Sequence, residues 1–137
     1  MSKGLKRVII ISILGLMVIG LLFGGRLLVN RVRYRRIISE IEIRTPNLTE
    51  IQDGTSTGYF DAILVSANVD VTVEEHRITE IVINSHHHGR DRALDAEEII
   101  VDVIENQSLE VDTVSGATNS SLVILKAIQI ALDNGAE

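Results

Sequence analysis

The residues best suited to do chemistry stand together near the C-terminus, in Asp112-Thr113-Val114-Ser115-Gly116-Ala117-Thr118-Asn119-Ser120-Ser121. Ser115-Gly116 reads as a turn, because glycine takes backbone angles that other residues resist. Ala117 is small enough for a bulky group to lie against the backbone. Thr118 then offers a hydroxyl just before an apolar-striped run, Leu122 to Leu132, whose spacing predicts a helix. A helix start has N–H groups without intrahelical acceptors and a partial positive charge, which suits a phosphate. Spacing alone leaves two readings open. Thr118 or Asn119 is an N-cap, or the helix start is an anion site with a hydroxyl at its mouth.

A second cluster is the polar loop Ser85 to Asp91, with His86, His87 and His88 in succession. Histidine is a common metal ligand. Adjacent histidines point in different directions, however, and no Asp, Glu or Cys stands at a ligand spacing such as His-x-x-x-His. The sequence favours a solvated loop. Cys and Trp are absent, which excludes disulfides, iron–sulfur ligation and thiolate chemistry. Any redox group must be acquired. Tyr59 and Phe60 begin a strand, or could flank a ring.

The elements that must position these residues follow from periodicity. Tyr59 to Ser66 reads as a mostly apolar strand after a turn-rich opening, Asp53 to Gly58. Val69, Val71 and Val73 alternate with polar residues, so that strand buries one face. Glu75-His76-Arg77 makes a turn, and Ile78 to Asn84 is the partner strand, with Ile81 and Ile83 inward. Arg92 to Gln107 reads as a helix striped by Ala93, Ala96, Ile100 and Val103. Leu122, Leu125, Ile128 and Leu132 line a second helix, closed by Asn134-Gly135. The expected fold class is α+β, a small antiparallel sheet packed with two helices.

An anchor precedes it. Val8 to Gly25 contains no charged residue, and eighteen residues at about 1.5 Å each span about 27 Å, close to a hydrocarbon core. A cleaved signal peptide is the competing reading, with Lys3, Lys6 and Arg7 as its basic start. No small-x-small site follows, and the run exceeds a usual signal core, so an uncleaved transmembrane helix is expected. The sequence divides into an anchor, 1–25, an amphipathic helix and linker, 26–52, ended by Pro46, and a domain, 53–137.

Charge follows the same division. Nine Lys/Arg against two Glu give residues 1–45 a charge of +7. Four basic against seventeen acidic residues give 46–137 a charge of −13. The basic arm suggests anionic lipid. The acidic domain argues against nucleic acid, whose phosphates would repel it.

Asp112-x-x-Ser115-Gly116-Ala117-Thr118 before a helix resembles the flavinylation motif of the FMN-binding domain family, found in subunits of Rnf- and Nqr-type membrane redox complexes and in exported flavoproteins. The likeness runs from about Asp53 to the C-terminus and takes in Asp53-Gly54-Thr55, Val71-Thr72-Val73 and Gly89-Arg90. The resemblance implies that Thr118 carries FMN through a phosphoester, installed from FAD by a flavin transferase with a divalent metal. Asp112, Ser115, Gly116 and Ala117 would be recognition residues, with Asn119 beside them. The histidine loop would face the flavin. A strict positive-inside count places the domain in the cytoplasm; the resemblance implies an extracytoplasmic domain.

The expectation is a single-pass, membrane-anchored electron carrier with covalent FMN that docks with redox partner proteins. No residue offers itself as an acid or base for an organic substrate. One alternative is a non-catalytic module that holds FMN loosely or binds a protein. A third reading, a flavin-dependent reductase of a small acceptor, ranks last, since no Gly-x-Gly-x-x-Gly turn is present.

Overall fold

The computed structural model describes residues 3–87 and 91–136. The chain forms two compact units, Met1–Arg33 and Tyr34–Glu137. Helix α1 (Lys3–Ser39) runs unbroken for 37 residues. From Gly4 to Ser39 it is long and apolar enough to cross a membrane, with mean hydropathy 2.7 in its most apolar window. Its large apolar side chains from Leu5 to Val32 are exposed, an arrangement that water penalises and hydrocarbon accepts.

The second unit holds a three-stranded antiparallel sheet in the order β1 (Gly54–Asp61), β2 (Ser66–Glu74), β3 (Arg77–His87). Helices α2 (Ile99–Asn106) and α3 (Thr118–Gly135) follow. The α+β architecture is the expected one. Ala67, Val69, Val71 and Val73 of β2 are buried, alternating with half-exposed polar residues, so β2 turns one face to the core. On β3 the buried residues Ile78 and Ile81 are an odd number apart. The pairing jumps from Thr72↔Glu80 to Val73↔Ile78, and the bulge at Thr79 restores both side chains to one face. Helix α3 packs on β1 and β2 with Val123, Ile124, Ala127, Ile128, Ala131 and Leu132 buried.

Strand β1 corrects the expected strand at Tyr59 to Ser66. It forms instead from Gly54 to Asp61, in the stretch that read as turn-rich, and Ala62 to Val65 is the hairpin loop. Two physical reasons stand out. Hydroxyl pairs stabilise the outer face of β1: Thr55 and Thr72 Oγ1 atoms lie 2.9 Å apart, and Thr57 donates to Asp70 at 2.6 Å. On the inner face, a Cβ at Gly58 would collide with the Ala127 carbonyl and the Ala131 nitrogen. Glycine there lets the strand and helix backbones touch.

The expected helix from Arg92 to Gln107 forms in two parts, a 3-10 segment Asp91–Glu98 and then α2. The buried residues explain the change of winding. Ala96 and Ile99 are three apart and Ile99 and Val103 four apart, so the tighter turn precedes the wider one. Ile99, not Ile100, is the fully buried member. Gln107 ends α2 at φ 53. Its amide accepts the Ile78 N–H at 2.8 Å and donates to the Ile78 and Ile104 carbonyls, tying α2 to β3.

The amphipathic helix expected to reach Pro46 stops at Ser39. Beyond it Ile41, Ile43 and Thr45 are half-buried and alternate with exposed Glu42 and Arg44, the period of extended chain. Tertiary bonds hold this segment. The Arg44 N–H donates to Gln129 Oε1 at 3.3 Å, its guanidinium meets Asp133 at 3.1 Å, and Lys126 Nζ donates to the Glu42 carbonyl. The Leu109 N–H donates to Thr45 Oγ1 at 2.9 Å. Ile51 docks on the domain, 4% exposed.

Candidate functional site

The motif folds as a turn locked onto the first turn of α3. The Ala117 N–H donates to the Val114 carbonyl at 3.0 Å, closing a β-turn with Gly116 at its third position. Gly116 has φ +82, a conformation that favours glycine. Ser121 then holds both ends. Its hydroxyl accepts the Val114 N–H at 3.1 Å and donates to the Ala117 carbonyl at 3.0 Å. Ser121 is fully buried, and sequence reasoning missed its role. A buried Ser seven residues after an apolar Val carries no distinctive signal on its own.

The capping reading of Thr118 and Asn119 is corrected. The cap position is Ala117, with no side-chain bond, and Thr118 is the first helical residue. The first intrahelical bond runs from the Ser121 N–H to the Ala117 carbonyl, so the N–H groups of residues 118–120 have no intrahelical acceptor. Thr118 is exposed, and its hydroxyl is not spent on capping. Asp112, Ser115, Gly116 and Asn119 are also exposed, while Ala117 is buried. Apart from Ala117, the predicted residues are exposed along one short stretch, Asp112 to Asn119.

The direction of α3 across the sheet shows what surrounds that turn. A Cβ at Gly135 would touch Ser56, Asn134 donates to the Thr57 carbonyl, and Gly58 abuts Ala127 and Ala131. Strand β1 therefore runs antiparallel to α3. Four residues beyond Gly58 advance about 13 Å at ~3.3 Å each, which α3 covers in about nine residues. At that rate the hairpin loop Ala62–Val65 lies toward the end of α3 that begins at Thr118. The register Ala67↔His86 and Ser66↔His87 brings the end of β3 to the same end of the sheet.

At that end His86 and His87 belong to β3, not to a polar loop; His88, Gly89 and Arg90 lie outside the described residues. The His86 side chain is 1% exposed, and its Nδ1 lies 3.2 Å from Glu97 Oε1 on the 3-10 segment. The hairpin loop is tightly held. Asp61 Oδ1 accepts the Ile63 N–H at 2.7 Å, Leu64 donates to the Ala62 carbonyl and Ala62 to the Val65 carbonyl, both at 2.9 Å. Ile63 has φ +74, a strained state for a β-branched residue that costs of order 1–3 kcal/mol. Ala62 and Val65 are buried while Ile63 and Leu64 are exposed.

The opposite end of the sheet has two depressions. One, of about 550 Å³, is lined by Asp53, Gly54, Glu74, Glu75, Arg77 and Thr79; a smaller one of about 220 Å³ reaches Asn134 and Gly135. Neither touches the motif. On the outer face, the Thr57 hydroxyl holds the Asp70 carboxyl below its ordinary range.

A family model described as the FMN-binding domain matches residues 65–133, from the hairpin loop to the last turn of α3. The chain belongs to this family. No curated protein and no solved structure matches it. As a member of the FMN-binding domain family it binds FMN. The motif surface suits the group: an accessible hydroxyl, three N–H groups without intrahelical acceptors and a glycine turn that brings backbone to the surface. The phosphate would rest at this helix start, held by the backbone of residues 118–120. When bound, FMN supplies one- or two-electron transfer.

Proposed function

We propose that this chain is a membrane-anchored, extracytoplasmic electron carrier with FMN bound covalently to Thr118 through its phosphate. The observation that carries the reading is the Thr118 hydroxyl, exposed at a helix start and left out of capping, in a chain of the FMN-binding domain family. A flavin transferase would join the Thr118 oxygen to the FMN phosphorus of FAD. The pyrophosphate bond breaks, AMP leaves and the hydroxyl proton passes to the transferase. A covalent bond suits a compartment where free FMN is diluted away, because tethering keeps the effective concentration high. Helix α1, long and apolar enough to cross a membrane, would keep the carrier beside membrane redox partners. Five Arg residues, Arg26 to Arg36, follow the apolar run and would sit near anionic headgroups.

The test is co-expression with a flavin transferase, followed by mass measurement of the intact protein. An FMN-sized increment that disappears in Thr118→Ala is the expected result, and its absence from the parent protein would defeat the reading. Fluorescence surviving denaturing electrophoresis separates covalent from loosely held flavin. Reporter fusions at the C-terminus, active only outside the cytoplasm, test the orientation.

A further inference from the structure

We infer that the tip of the β1–β2 hairpin, Ile63 and Leu64, is the apolar seat for the isoalloxazine ring of the FMN carried by Thr118. This rests on the function proposed above and adds the residues that the ring would lie against. Three observations carry it. Strand β1 runs antiparallel to α3, from Ser56 beside Gly135 to Gly58 beside Ala127, so the chain that leads into the tip heads toward the end of α3 that bears Thr118. Ile63 and Leu64 are 38% and 39% exposed, although their neighbours Ala62 and Val65 are buried. The backbone is fixed in a shape that turns these two side chains out of the core. Ile63 sits at φ +74, held by the Asp61 carboxylate and by the bond from Leu64 to Ala62.

Each observation points to an occupant. A hairpin made only to connect two strands would place glycine or asparagine at a positive φ, and polar residues at its exposed tip. This chain keeps two aliphatic residues there, under strain, beside the one exposed hydroxyl that its family would load with a flavin. A flat aromatic ring tethered at Thr118 is the apolar group within reach, and burying both partners removes apolar surface from water. A partner protein docking on the same tip is the rival occupant, and the experiment distinguishes them.

The full chain is flavinylated by a transferase with FAD and Mg²⁺, purified in detergent, and compared with the double variant Ile63→Gly/Leu64→Ser. Glycine accepts φ +74 without strain and Leu64 is exposed, so the fold is retained; a melting temperature no lower than the parent's checks this. Tyr59→Ser is the control, since Tyr59 is exposed on the strand face turned away from α3. The readout is quenching of flavin fluorescence by acrylamide, a neutral probe that the acidic domain does not repel. All four proteins, the parent, the tip variant, Tyr59→Ser and the conservative Leu64→Met, should carry the same FMN increment. The quenching constant should rise several-fold in the tip variant, stay at the parent value in Tyr59→Ser, and also stay there in the conservative Leu64→Met. An intact increment with equal quenching in parent and tip variant overturns the seat and leaves the covalent carrier standing; it points to the tip as a protein contact. A parent chain with no increment defeats the carrier reading itself, and the seat with it.

Discussion

Other residues relieve Thr118 of structural work. Many helix starts spend a Ser or Thr hydroxyl on their own N–H groups. Here the cap position falls to Ala117, and Ser121, one turn inside the helix, takes over the job of fastening the loop. The consequence is testable. Ser121→Ala would leave the half-buried Val114 N–H without its acceptor, at a cost of about 1 kcal/mol. Flavin loading should also slow, since the turn would present Thr118 less rigidly, whereas the loaded mass should still be reached at long times. Thermal unfolding and a time course of intact mass check both parts.

Among the elements, α3 and β1 form the pair on which the site depends, and their closeness depends on Gly58. Gly58→Ala would set a methyl against the Ala127 carbonyl and the Ala131 nitrogen, both backbone atoms, so the helix must shift. Overpacking of this kind costs typically about 1–3 kcal/mol, and in the proposed carrier a shift of α3, which bears Thr118, should change the flavin environment as well. A melting curve and the flavin spectrum of the variant measure the two effects. This contact also shows what sequence could and could not reveal. The alternation of Val69, Val71 and Val73 made β2 legible, and the stripe from Leu122 to Leu132 made α3 legible. Strand β1 was not, because Gly54 to Gly58 is chosen for edge hydroxyl pairs and for close approach to a helix, neither of which leaves a hydrophobic period. The apolar run Ala62 to Val65 misled for the converse reason: two of its residues face the core and two face out. The motif residues were legible as a group because their turn is local; the Ser121 lock is local too but leaves no pattern in the sequence, whereas the His86–Glu97 contact joins two separate elements. The end of the amphipathic stretch depends on tertiary neighbours as well, since α3 side chains bond the Glu42 carbonyl and the Arg44 N–H, and the Thr45 hydroxyl bonds Ser108 and Leu109.

At the scale of the molecule, the second compact unit begins at Tyr34. Tyr34, Ile37, Ile38, Ile41 and Ile43 pack against the core, and Ile51 is part of it. A chain beginning at Tyr34 should therefore keep the stability of the unit, whereas one beginning at Asp53 should melt several degrees lower, since each 1 kcal/mol lost shifts a domain of this size by about 4–8 °C. Calorimetry of the two truncations decides it. One further consequence belongs to α3 itself. The helix is 18 residues long, about 27 Å at 1.5 Å per residue, and no aromatic side chain lies along it. In the carrier proposed here, nothing in that rod would relay charge to its far end. A donor and an acceptor that both dock at the Thr118 end would then take turns, and such a domain would serve as a turnstile rather than a wire.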